Sequence, residues 1–296
     1  MITKRYIVMA VDPLHIGTGG YRLGMVDLSI VREPGTNIPK IPGTTLHGVI
    51  RLYAAYQYKK TQCAGSSISE KPCGDAACPV CYTFGYIKDA SSGKRGVVNI
   101  SDARILFFPV YSLRGPVWVS TPHILQECGI QVENTQHVMT SMDIPSNKMI
   151  NLGWLMVEIT GKTAITIESE SEEWKQIKDR IVIVPESVFS QIVNSNLEIR
   201  TSVSILPETG TAEEHALFTY EAIPRSTFLW ADVVVDDYWG NFPKTKETFN
   251  KEKLPNPWNS PEDVVESGLG LCEHLGVGGM GTRGFGRIRL VTDWEV

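Results

Sequence analysis

The chain has 296 residues, 42% of them apolar, and carries 28 basic against 33 acidic residues for a net charge of −5. That length and apolar share support one large elaborated domain or two small ones around a sizeable core. The acidic balance excludes binding to nucleic acid through bulk charge, so any such site must be a local basic groove. No apolar run approaches the roughly 18–20 residues of a membrane span.

"MITKRYIVMAVDP" reads as a first strand. Its apolar stretch is too short for a signal-peptide core, which points to a cytosolic, hence cytoplasmic, protein with no membrane partner. A glycine loop, "HIGTGG", follows, and then an irregular, partly extended stretch over residues 24–43. Leu46, Val49, Ile50, Tyr53 and Ala54 fall at helical spacing, with Thr44 or Thr45 as N-cap. "GVVNISDARILFFPVYSL" and "GPVWVSTP" read as two β-rich strands. Residues 160–199 hold an acidic helix, a short strand and a second helix. Residues 201–224 alternate around "PETGT" as a β-hairpin. "TFLWADVVVDD" is a further strand, and the Pro- and Asn-rich residues 237–259 form a surface insertion. A helix then begins with Ser260 as N-cap and Pro261 at its first position, with acids in the first turn. Without the excursions this order approaches β-α-β-β-α-β. The expected class is therefore α+β, with a ferredoxin-like (RRM-like) palm.

Cys63, Cys73, Cys78 and Cys81 fall within nineteen residues, and Cys78-Pro-Val-Cys81 has the spacing that places two thiolates on one tetrahedral ion. Without a secretion signal, disulfides are disfavoured. A structural zinc site is expected, with His47 or His123 as possible replacements for one sulfur. Free thiols in a loop and a redox pair are the alternatives.

The closing stretch "GVGGMGTRGFGRIRL" holds six glycines in its first eleven residues. Two G-x-G-x-x-G matches lie in it, but a strand follows where a dinucleotide fingerprint requires a helix. Glycine permits positive φ and close approach of another chain, and successive N–H groups in such a loop form an anion-binding nest. With Arg283, Arg287 and Arg289 beside it, a phosphodiester backbone is the expected guest.

Gly276-Val-Gly278 and Gly284-Phe-Gly286, five residues apart, resemble the glycine loop of the RAMP superfamily of CRISPR proteins. "HIGTGG", "LGMVDLSIVRE", "IPKIPGTTLHGVIR", "ISDARILFFPVYSLRGPVWVSTP", "RIVIVPESVF" and "PETGT…LFTYEAIP" resemble one branch of it. That branch is the repeated backbone subunit, the fourth, of type III-B (Cmr) effector complexes. The resemblance covers most of the chain.

It implies a single domain over residues 1–296. The palm would comprise about 1–60, 96–125, 226–236 and 260–296, with a cysteine-rich insertion at 61–95, a helical one at 160–199 and a thumb hairpin at 201–224. It also implies copies of the chain stacked along a guide crRNA with other Cmr subunits, kinking of the guide–target duplex, and endonucleolytic cleavage of target RNA with Mg2+ or Mn2+. The cleaving residue carries over to Asp27; His15, Glu221 and Tyr220 are secondary candidates. RNA contacts fall on His47, Arg51, Gly278, Gly279, Gly281, Arg283, Gly284 and Gly286. His47 stands where the family often has lysine. A guide-processing nuclease, a non-catalytic structural subunit and the type III-A backbone subunit are the rival readings.

Overall fold

Residues Ile2–Ala10 (β1) bury side chains on both faces, as a strand at the centre of a covered sheet must. In the computed structural model, which describes residues 1–19, 26–65, 71–75, 77–88, 93–133, 136–212, 217–245 and 257–296, β1 lies between two neighbours. Helix α1 (Gly43–Gln57), strand β2 (Ala103–Val110), strand β3 (Phe228–Val235), helix α2 (Pro261–Leu275) and strand β4 (Ile288–Glu295) complete the palm. The sheet runs β4-β1-β3-β2 and each pair is antiparallel, with Ile7 opposite both Trp230 and Thr292. This is the ferredoxin-like arrangement expected from the sequence. Parts of two motifs, Gly20 and residues 23–25, lie outside the described residues.

Each sheet face has its own core. Tyr6, Val8, Leu229 and Ile288 pack with Leu46, Ile50, Val265 and Leu269 of the two helices. On the opposite face Ile7, Phe107, Phe228 and Trp230 meet Trp118, Trp174 and Ile181 of the excursions. The second face is therefore covered, leaving no open RRM-type stacking surface there. The sheet continues past β2 through Val117–Ser120, Ile181–Ile183, Met139–Thr140 and Gly161–Lys162. A hairpin of Lys148–Leu152 and Leu155–Ile159 lies in a stretch for which the sequence suggested no element. Among the described residues no helix is long and apolar enough to cross a membrane.

The helix starts differ instructively. Ser260 caps α2 through a capping box with Asp263, as its local sequence indicates. The start of α1 is not capped by Thr44 or Thr45. Pro42 takes the N-cap position, and the first N–H, that of Gly43, donates to Asp102 Oδ1 at 2.7 Å. A cap supplied from 59 residues away leaves no local signal.

The two helices approach closely at Gly268, where a Cβ would lie 2.2 Å from the Ile50 carbonyl oxygen. Gly268→Ala should destabilise the protein by about 1–3 kcal/mol through overpacking, despite the roughly 1 kcal/mol that alanine returns in helix propensity. Urea denaturation should show a lower midpoint with an unchanged slope.

Candidate functional site

The segment after β1 runs beside a strand from the middle of the chain. Strands Glu198–Ser202 and Phe218–Ala222 pair antiparallel, closing the hairpin that the alternation suggested. Backbone bonds join Leu14 to Ile223 in both directions, and the N–H groups of Asp27 and Leu28 donate to the Thr219 carbonyl. These bonds fix the root of the hairpin against the palm.

Asp27 sits at that root with its side chain exposed. Its Oδ2 accepts from the Thr219 N–H at 2.7 Å and from Thr219 Oγ1 at 2.9 Å. These bonds hold its carboxyl below the usual carboxylate range. Oδ1 has no hydrogen-bond partner among the described residues. The arrangement is an ionised, clamped carboxylate with one oxygen available. Next to it, Leu28 packs against the cluster of Tyr220, Ala222 and Phe285 that Met280 of the glycine loop also covers, so the acid adjoins that loop.

The other candidate acids and bases are engaged. His15 is buried, and its Nδ1 lies 2.7 Å from the Glu221 carbonyl oxygen. A carbonyl only accepts, so Nδ1 carries the proton. Glu221 is buried as well. Its Oε1 accepts from Ile30 N–H and Arg32 Nη1, and its Oε2 from Arg32 Nη2, all within 2.8 Å. Tyr220 is buried edge-on to His15 and Phe285, and its hydroxyl meets Ser202 Oγ at 3.2 Å. These three position the strand that holds Asp27. Neither Thr219 nor the Arg32 partnership carried any sequence signal.

The glycine loop divides into two parts. Gly276, Gly278 and Gly286 all have positive φ. A Cβ on them would lie 2.9 Å from Gly286 C, 2.6 Å from the His15 carbonyl oxygen and 2.7 Å from the Val277 carbonyl oxygen respectively. They serve chain-on-chain packing. Gly279 donates its N–H to the His15 carbonyl. Gly281 and Gly284 form the open tip. Of the three arginines, Arg287 is paired with Asp12, and Arg289 with Glu173 and Glu273. Arg283 is exposed and has no side-chain partner among the described residues. The N–H groups of Arg283 and Gly284 also bond within the loop, to the carbonyls of Met280 and Gly281, so the anion-nest expectation narrows to residues 280–282 and the Arg283 side chain.

The four cysteine sulfurs lie within 4.8 Å of one another. Cys63 is 3.4 Å from Cys73 and 3.9 Å from Cys78, and Cys73 is 3.7 Å from Cys81. A tetrahedral zinc site with Zn–S bonds of about 2.3 Å has S–S edges of about 3.8 Å, whereas a disulfide needs about 2.05 Å. Hydrogen bonds from Cys78 and Cys81 pull Cys63 down to about 2, and the same bonds to Cys63 push Cys78 up and Cys81 up to about 12. Thiols bind metal as thiolates, so a cation held among these four sulfurs would favour their ionised forms.

Arg51 donates from Nε to the Cys63 carbonyl, and its buried Nη2 lacks a partner. Burial lowers its pKa while Cys81, Cys63 and Cys78 act to raise it. A metal held by the four cysteines as thiolates would place negative charge beside this guanidinium. The histidine alternatives lie elsewhere. His47 packs edge-on against Phe84, with burial and then Arg51 lowering its pKa. His123 faces Glu127 at 3.7 Å.

A ferredoxin-like palm that enters its last strand through a glycine loop, and carries an exposed acid at a hairpin root, defines a class of protein. Residues 8–289 match the RAMP superfamily, to which the chain belongs, and within it the chain falls in the Cmr4 branch. It is 30% identical over 257 residues to the CRISPR system Cmr endoribonuclease Cmr4 of Pyrococcus furiosus, a match covering 78% of this chain and 82% of that one. Two solved structures share the fold. One is a chain of the type III-B Cmr-beta complex bound to cognate target RNA, with a TM-score of 0.67 and 14% identity over 98% of this chain and 97% of that one. The other is a crystal structure of Cmr4, with a TM-score of 0.61 and 22% identity over 99% of each chain.

Removing the Glu221 carboxylate should unbalance Arg32 in a buried setting. Glu221→Ala is expected to cost about 3–5 kcal/mol of stability, read as a lowered thermal midpoint. The paired variant Arg32→Met with Glu221→Leu should recover most of it, as replacing a whole buried ion pair does.

Proposed function

We propose that this chain is the repeated backbone subunit of a type III-B (Cmr) ribonucleoprotein, binds guide crRNA together with further copies of itself, and cleaves target RNA at Asp27. The observation that carries the catalytic part is the clamp on Asp27: an exposed, ionised carboxylate held by Thr219 at the root of the hairpin. Membership of the Cmr4 branch supports the assembly and the endoribonuclease activity. The hairpin over residues 198–222 is the element that would kink the guide–target duplex. The exposed loop tip with Arg283, together with Arg51 and the partly buried His47 on α1, would contact the RNA backbone. His47 does so as a neutral donor, since burial and Arg51 disfavour its cation.

RNA carries its own nucleophile, the 2′-OH. A splayed nucleotide can bring that oxygen in line with the scissile phosphate, so positioning supplies much of the rate. A carboxylate with a lowered pKa is a weaker base. The clamp therefore favours orientation of the reacting groups over removal of the 2′-OH proton. The Cys63–Cys81 group is the sole cluster of three or more metal-binding side chains among the described residues. A Mg2+ or Mn2+ ion at the cleavage site would thus be held by Asp27 Oδ1 and by RNA oxygens, a donor set that suits Mg2+. It would neutralise charge at the phosphate.

Asp27→Ala should leave target affinity equal or slightly higher and lower the cleavage rate of the reconstituted complex by about 10²–10⁴-fold. Products should end in 2′,3′-cyclic phosphate and 5′-OH, and a target with 2′-deoxy at each cleavage position should resist. Asp27 is ionised at every pH above the ordinary aspartate value near 3.9. Its protonation should therefore leave no inflection in the rate between pH 5 and pH 8. Normal cutting by Asp27→Ala would move the site elsewhere.

The cysteine cluster is read as a structural zinc centre in the same subunit, on its four-sulfur donor set and its sulfur spacing. Metal analysis of the purified protein should give about one zinc per chain. Cys78→Ser with Cys81→Ser should lose it and lower the thermal midpoint. Metal-free wild-type protein of full stability would refute the assignment.

A further inference from the structure

Beside the cysteine cluster lies a pocket of about 480 Å3, lined by Arg51, Phe84, Gly85, Tyr86, Ile87, Gly93, Lys94, Arg95 and Gly96. Three of these residues are cationic and none is acidic, in a chain whose acids outnumber its bases by 33 to 28. Many cations of the palm are neutralised: Arg5, Arg32, Lys40, Arg287 and Arg289 all sit on carboxylates. Those of the pocket differ. Arg95 is exposed with no ion-pair partner among the described residues. Lys94 Nζ lies over the rings of Tyr82, at 4.6 Å, and Trp239, at 4.9 Å, rather than on an acid. Arg51 completes the wall, fixed by its bond to the Cys63 carbonyl.

The pocket is built by the cysteine-rich insertion. Strands Gly85–Ile87 and Gly93–Arg95 form its hairpin. A Cβ on Gly85 or Gly96 would lie 2.5 Å or 2.6 Å from facing backbone atoms, so the two ends of this hairpin are pressed together as glycine alone permits. The cysteine loop braces the outer side: Tyr86 lies against Gly74, and Lys88 Nζ reaches the Cys73 carbonyl at 3.4 Å. The cluster therefore holds the hairpin that carries Lys94 and Arg95.

We infer that this pocket is a second RNA-backbone site, separate from the glycine loop, in which Arg51, Lys94 and Arg95 take a phosphodiester of single-stranded RNA. Cations interleaved with aromatic residues, in a groove with no acid among its described lining residues, are the footprint of single-strand binding. The pocket's charge opposes that of the whole chain, so it acts at short range, on an anion delivered by contacts elsewhere. The inference rests on the RNA-binding reading of this subunit. It gives the cysteine-rich insertion a role in RNA contact and not in stability alone.

The test uses full-length protein and a fluorescent single-stranded oligoribonucleotide, with binding measured across a salt series. Three proteins are compared: wild type, Arg283→Ala, and Lys94→Gln with Arg95→Gln. Each lost single-strand phosphate contact should reduce the slope of log K against log salt by about 0.7. The double variant should thus lose about 1.4 in slope and bind roughly ten-fold more weakly at 0.15 M salt, with zinc content and thermal midpoint unchanged. If the double variant loses zinc, Arg95→Gln alone, at the exposed position, should still lower the slope by about 0.7.

Wild-type binding by the double variant, alongside a loss in Arg283→Ala, would overturn the inference and leave the RNA reading standing. Wild-type binding by both variants would overturn the RNA reading as well. Unchanged RNA affinity with weakened assembly of the complex would assign the pocket to an acidic protein surface and overturn the inference.

Discussion

His15 joins three segments that are distant in sequence. Its ring nitrogen donates to the carbonyl of Glu221, its own carbonyl accepts from Gly279, and Gly278 lies so close that a Cβ there would meet its carbonyl oxygen at 2.6 Å. The exit of β1, the glycine loop before β4 and the strand holding Asp27 thereby become one unit. Each bond contributes only about 1 kcal/mol net. Their geometry matters more: the carbonyl of residue 221 and the side chain of residue 221 work on opposite partners, His15 and Arg32. A shift of the strand by one residue would break both and would carry Thr219 away from Asp27.

This knot explains how the glycine loop can be both rigid and open. Rigid packing at Gly276, Gly278 and Gly286 sets the base of the loop. The Gly281–Gly284 tip is left to solvent with Arg283. A loop flexible throughout would lose its ordering entropy on every binding event. A loop fixed at its base presents its N–H groups already arranged, which is how preorganisation strengthens binding.

The sequence made the palm legible because its signals are local. Helical spacing in α1, the Ser260 capping box and the alternation in the hairpin each depend on neighbours a few residues apart. The cysteine cluster was legible for the same reason, as spacing within one short stretch. What stayed hidden depends on partners across the fold. The cap on α1 comes from Asp102, the counter-charge of Glu221 is Arg32, and the arginines that flank the glycine loop spend their charge on Asp12, Glu173 and Glu273. Arginine count near the loop therefore overstated the free positive charge. The hairpin over residues 148–159 was missed because its exposed Met149, Trp154 and Met156 blur the alternation that marks a half-buried strand.

The same internal pairing bears on how an acidic protein can hold RNA. If its cations were all unpaired, its excess of carboxylates would still repel a polyanion at long range, with a screening length of about 8 Å at physiological salt. Pairing the core and sheet arginines with carboxylates cancels acids as well as bases, which flattens the field over much of the surface. The few cations left unpaired then act within a screening length on a backbone already nearby. Asp27 fits this economy of charge. Its Oδ2 accepts from two Thr219 donors, so in the proposed site the acid would present a single unpaired oxygen to RNA. On the proposed reading, attraction at the loop tip and in the basic pocket would bring a strand past a carboxylate that would not bind it by itself.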